Sequence, residues 1–132
     1  MVCRNTKKVI FSVAKRLSHQ LIRHKIRTHC KGTVTVYTDE YSIYNGLKKL
    51  NNVKSHKTIT HSQYIYAMGD THVNNCENRH SLLRPFLNMY RGVSKKNLNT
   101  YVKLFQFISN NGLKWLTKAL KILLNQRTTP HT

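Results

Sequence analysis

The 132-residue chain carries 23 Lys and Arg against 4 Asp and Glu, a formal net charge of +19, so a polyanion is the expected partner, because neutralised phosphates release condensed counterions. Its hydrophobic share of 39% comes in patterned runs, which excludes a basic disordered tail, and its length sets the expectation of one domain. No run approaches the roughly 18 apolar residues of a spanning helix, so no membrane partner is expected. The short stretch Val9 to Ala14 has no cleavage site after it, and the odd, scattered Cys3, Cys30 and Cys76 suit a reducing cytoplasm.

In chain order, Lys8 to Val13 predicts a short strand from its β-forming Val9, Ile10, Phe11 and Val13. Ser18 to His29 predicts a helix, with Leu17, Leu21, Ile22 and Ile26 on one stripe and Lys31-Gly32 as its stop. Thr33 to Thr38 is the clearest strand, rich in β-branched residues, and the helix-then-strand order suggests a parallel crossover unit. Asp39 and Glu40 follow at its end. Tyr44 to Leu50 predicts a short helix and Val53 to Ile59 a further strand; Ser62 to Asn75 reads as loop, with a Gly69-Asp70 turn. A helix over about Asn75 to Leu87 follows, which Pro85 is expected to kink or end early. From Ser94 a long helical pattern runs through Leu98, Tyr101, Val102, Phe105 and Ile108. Asn110-Asn111-Gly112 interrupts it, and a last helix carries Leu116, Leu120, Ile122 and Leu123. Residues 127–132 read as a disordered tail.

The charge is uneven. No Lys or Arg lies between Thr58 and Asn78, where Asp70 and Glu77 fall, while basic residues crowd the first third and the stretch from Arg91 onward. A carboxylate centre with basic arms suits an enzyme acting on phosphodiesters; chance clustering in a small sample is the plain alternative. His19, His24 and His29, five residues apart, turn by roughly 140° each around a helix and so do not converge on a metal. Asp39 at a strand end could equally cap the next helix, and Glu77 near a helix start is favoured there by the dipole alone.

Several short strings together resemble one family. Tyr37-Thr38-Asp39-Glu40-Tyr41 with Tyr44, His61-Ser62, His72-Val73-Asn74-Asn75-Cys76-Glu77, Ser81-Leu82-Leu83-Arg84 and Tyr90 to Lys96 occur in the order and spacing found in DDE-type insertion-sequence transposases with an ISXO2-like domain. The resemblance runs from about Val9 to Ile108. It implies an α/β, ribonuclease-H-like catalytic domain over residues 1–126, in which Asp39 is the second catalytic carboxylate and Glu77 the third. The two are then expected within roughly 10 Å, the reach of a shared pair of metal ions. The implied chemistry is DNA strand cleavage and transfer with Mg²⁺ or Mn²⁺ held by Asp39 and Glu77. By helical spacing Arg84 shares a face with Glu77; the resemblance makes it a DNA-phosphate contact, and Arg91, Lys95 and Lys96 join it. His72 and Asn74 match the family box as supporting residues, or Asn74 takes the third ligand place as in Asn-using groups. Asp70 is expected as a turn residue and Glu40 as a solvent-facing neighbour of Asp39.

The family's first Asp is absent, since none of the four acids lies in the first 38 residues. The expectation is therefore a C-terminal part with the first strands missing, inactive alone and weak or empty of metal. It would be cytoplasmic, associated with the nucleoid when on DNA. Partners implied are DNA and either a second copy or a complementing N-terminal fragment. Two rival readings stand beside this one: a non-catalytic basic binder whose Tyr rings stack on bases, and a relic that does not fold.

Overall fold

The computed structural model describes residues 1–59 and 74–127. They form a mixed α/β structure: helix α1 (His19–His29), strands β1 (Val34–Thr38) and β2 (Val53–Thr58), and helices α2 (Asn74–Asn88), α3 (Leu98–Asn111) and α4 (Trp115–Arg127). The chain divides into two compact units, Ala14–Glu77 and the combination of Met1–Val13 with Asn78–Thr132.

In the Ala14–Glu77 unit, α1 begins where Ser18 Oγ accepts the Leu21 N–H at 3.2 Å, an N-cap that satisfies one of the helix's orphan donors. Arg27 and His29 occupy its last turn, favourable beside the negative end of the dipole. Of the apolar stripe expected on α1, Ile26 is buried and Ile22 packs against it, whereas Leu17 stands outside the helix and half exposed. Strands β1 and β2 pair in parallel, from Val34↔Val53 to Thr38↔Thr58, with a register shift after Val34. The segment joining them is not the single short helix expected over Tyr44 to Leu50. It makes two 3₁₀ turns, Ser42–Tyr44 and Leu47–Lys49, separated by Gly46 at φ +76°, a left-handed residue that an α-helix cannot contain. Arg23 Nη2 lies 3.2 Å from where a Cβ on Gly46 would sit, so both backbone and space favour glycine. The core here is Ile26, Leu47, Leu50 and Val53, with Val34, Val36 and Tyr44 packed on it.

In the other unit, the strand expected at Lys8 to Val13 is extended but has no strand ladder beyond a single antiparallel bridge, Val2↔Val9. Alternation explains why. The groups of Lys8 and Ile10 point to one side, where Lys8 O accepts from Cys3 N and Ile10 exchanges hydrogen bonds with Met1 (each 2.9 Å). The groups of Val9 and Phe11 point to the other, where side chains of α3 stand in for a strand. Asn110 accepts from Val9 N at 2.7 Å and donates to Val9 O at 2.8 Å. Gln106 accepts from Phe11 N at 2.8 Å, and Lys103 donates to Phe11 O at 3.1 Å. Positions 103, 106 and 110 recur on one helix face, matching the rise of an extended chain. Around this clamp, Val9, Phe11, Val102 and Phe105 are buried, with Leu83, Phe86 and Leu98 packed against them.

Pro85 does not end α2: the helix continues to Asn88, and Met89 N still reaches Pro85 O at 3.2 Å. The lost N–H of Pro85 costs one helical bond, which the packing of Leu83 and Phe86 offsets. The break expected at Asn110-Asn111-Gly112 falls at Gly112, whose φ of +53° and ψ of −139° stop α3, followed by the 3₁₀ turn Gly112–Lys114 and then α4. The expected loop Ser62 to Asn75 lies outside the described residues up to 73, while Asn74 and Asn75 belong to α2. The expected tail is shorter than supposed at its start, because α4 includes Arg127; residues 128–132 lie outside the described part.

Candidate functional site

Asp39 follows the last residue of β1, at the carboxyl end of a parallel strand, and its side chain is exposed. Ligands of open α/β sheets bind at such ends, because the strands stop there and the loops diverge. Local hydrogen bonds fix this corner. Asp39 Oδ1 accepts the Tyr41 N–H at 3.2 Å, an Asx-type turn that aims the chain into the first 3₁₀ turn. The Thr38 hydroxyl donates to Asp39 O at 2.8 Å and lies 2.8 Å from His56 Nε2 on β2. The β ladder extends one bond past Thr38, whose carbonyl accepts from Ile59 N at 3.0 Å.

Tyr41 and Tyr44 meet edge to face beside this corner, ring centroids 6.4 Å apart. The phenol of Tyr44 is held above the usual tyrosine range, first by burial, then by the Asp39 carboxylate and by negative charge at Cys76 and Tyr41. Glu77 itself is exposed in the first turn of α2, where the helix dipole favours a carboxylate.

The expected phosphate contacts are all exposed. Arg84 sits on α2 seven residues after Glu77, which brings both side chains to one face of that helix. Arg91, at φ +49°, lies in the turn after α2, and Lys95 and Lys96 precede α3. All four acids of the chain fall within the Ala14–Glu77 unit, so the other unit has basic side chains and no Asp or Glu to neutralise them. His72 and Asp70 lie outside the described residues, and Asn74 opens α2. His19, His24 and His29 are exposed along α1.

Sequence reasoning missed His56, because its role depends on the strand register: only the pairing of β2 beside β1 brings it to Thr38. Among the described residues no group of three or more His, Cys, Asp or Glu gathers to hold a metal ion. The adjacent, exposed Asp39 and Glu40 supply hard oxygens but no enclosing set, so the described residues do not by themselves fit a two-metal centre. No helix among them is long and apolar enough to cross a membrane.

Comparison with known proteins agrees with the pattern of residues. The chain is 34% identical over 111 residues to the "uncharacterized protein in transposable element ISH50" of Halobacterium salinarum, a stretch covering 84% of this chain and 37% of that relative. The matched region thus spans well under half of the relative's length. No solved structure gives a significant match. The family profile described as the ISXO2-like transposase domain matches residues 1–110, and the chain belongs to that family.

Proposed function

We propose that this chain is the carboxylate-bearing C-terminal part of a ribonuclease-H-like transposase domain, and that it acts on DNA during transposition. Asp39 and Glu77 are its catalytic carboxylates. The observation that carries the reading is the strand-end corner at Asp39, whose carboxylate accepts the Tyr41 N–H beside the Tyr41–Tyr44 ring pair. Arg84, Arg91, Lys95 and Lys96 grip the phosphate backbone, where charge-assisted hydrogen bonds position a duplex without reading its sequence. The turn orients Asp39 through one exposed hydrogen bond from the Tyr41 N–H, and positioning of this kind is what a reacting-centre carboxylate needs. The first Asp of the family, absent from these residues, must come from another segment or another chain. On this reading the chain alone binds DNA and does not cut it.

The test is complementation on a labelled transposon-end duplex with Mg²⁺ or Mn²⁺ in the buffer. The chain alone should retain DNA in a gel and leave both strands intact. Adding the N-terminal segment of a close relative, in cis or as a separate fragment, should restore nicking, and Asp39→Asn or Glu77→Gln should abolish it. Restored cleavage that survives both substitutions would put the catalytic residues elsewhere. The net charge of +19 also supports a second reading, a non-catalytic basic binder. For that protein no added segment restores cleavage, and neutralising Asp39 or Glu77 leaves binding equal or tighter.

A further inference from the structure

We infer that Tyr90, with Met89 beside it, is a stacking site for one unpaired nucleobase of a DNA strand held by the basic loop that follows. The inference rests on the reading of the chain as DNA-acting. An aromatic chain runs outward from the core of this unit. Phe105 meets Phe86 at 5.1 Å between ring centroids, Phe86 meets Tyr90 at 5.3 Å, and Tyr90 meets Tyr101 at 4.6 Å. Phe105 is buried and Phe86 and Tyr101 are partly so, whereas Tyr90 stays 40% exposed. Its ring is set by edge contacts at 66° and 63°, so a base arriving there meets a surface already ordered. Met89, the preceding residue, is 72% exposed and belongs to neither core cluster.

Charge and size select the occupant. The Tyr90–Tyr101 contact closes a loop at its base, and that loop carries exposed Arg91, Lys95 and Lys96 and no acid. Arg91 takes the left-handed position, φ +49°, where helices usually end on glycine, and Gly92 follows at φ +106°. A bulky cation kept in that conformation is the kind of strain that persists at functional sites. Cations and an open aromatic ring side by side suit a single strand, whose phosphates meet the first and whose bases meet the second. An exposed methionine next to them matches the apolar side chains that enter between base steps. Area argues against a protein partner, because two side chains fall far short of the roughly 800 Å² that each partner of a stable interface buries. A base inside a duplex shows its faces only to its neighbours in the stack, so the ring takes a base that is out of pairing.

The test is fluorescence anisotropy of the full chain with two labelled duplexes at about 150 mM salt. One duplex is fully paired, and the other has the same sequence with a single extra, unpaired base. The unpaired base should raise affinity about tenfold, the size of one aromatic stack. Tyr90→Leu should bring the two affinities to within about twofold of each other, whereas Tyr90→Phe, which keeps the ring, should keep the preference. Met89→Ser, at an exposed position outside both core clusters, should lower the preference, and it carries the test if circular dichroism shows Tyr90→Leu unfolded. Equal affinity for both duplexes, or a preference that survives Tyr90→Leu and Met89→Ser, overturns the inference and leaves the DNA-acting reading standing. No affinity for either duplex, even at about 50 mM salt, removes that reading and this site together. Equal duplex affinities with binding to phosphatidylserine vesicles that is lost on Tyr90→Leu would assign the pair to lipid surfaces and also overturn the inference.

Discussion

Replacing Asn110 by Leu tests the clamp between α3 and the extended N-terminal segment. The side chains are similar in size, so the change removes hydrogen bonds while keeping bulk. Val9 is 1% exposed, and water cannot replace the lost partners of its N–H and C=O. Leaving a buried backbone group unsatisfied costs about 1–3 kcal/mol, so the pair amounts to roughly 2–6 kcal/mol. That is a large share of a total stability typically near 5–15 kcal/mol. Asn110→Asp keeps the acceptor for Val9 N and loses the donor to Val9 O, and should cost about half as much. The assay is urea unfolding followed by fluorescence of Trp115, the sole tryptophan, which lies in the same compact unit as the clamp. With a urea dependence of about 1–2 kcal/mol per molar, the midpoint should fall by at least roughly 1 M for Asn110→Leu. A loss below about 1 kcal/mol, or Asn110→Asp and Asn110→Leu proving equal, would show that the side chain does not substitute for a strand partner.

Three further outcomes are expected. DNA affinity should drop at least about tenfold between roughly 50 and 200 mM salt, as phosphate contacts from several basic residues require; a salt-insensitive affinity in a filter-binding titration would remove the phosphate backbone as the target. Gly112→Ala should cost about 1–3 kcal/mol in the same urea assay: nothing lies within 4 Å of the added Cβ, so the cost is backbone strain at φ +53° alone, and an unchanged midpoint would refute that conformation. Because the Tyr44 pKa is raised in the folded chain, its contribution to stability is complete below the ordinary tyrosine value of 10.0 and is lost as pH climbs through the folded value. Asp39→Asn should move its ultraviolet titration downward, isolated as the difference from Tyr44→Phe, and a midpoint that does not move would separate the two side chains.

Much of the fold was legible because its signals are local. The run Thr-Val-Thr-Val-Tyr-Thr makes a strand in nearly any setting, and Asp39 at its end follows from chain order alone. The helices were readable from apolar spacing and from Gly112. What local signals lack is the identity of the partner. Val9 and Phe11 are extended as their β-forming side chains predict, yet their hydrogen bonds go to Asn110, Gln106 and Lys103, about a hundred residues away. Gly46 turned an expected helix into two tighter turns, because a left-handed residue outweighs the helix-forming Leu47, Lys48 and Lys49 around it. His56 became part of the candidate site only through the register of β2. Pro85 was tolerated because tertiary packing on Phe86 outweighs one absent bond.

The confinement of all four acids to Ala14–Glu77 has a consequence for how the molecule responds to its surroundings. The opposite unit has only Lys and Arg among its strongly charged side chains, and these keep their protons well above neutrality. Any effect of pH that runs through Asp or Glu therefore acts within Ala14–Glu77 alone, whereas ionic strength acts on the exposed basic side chains of both units.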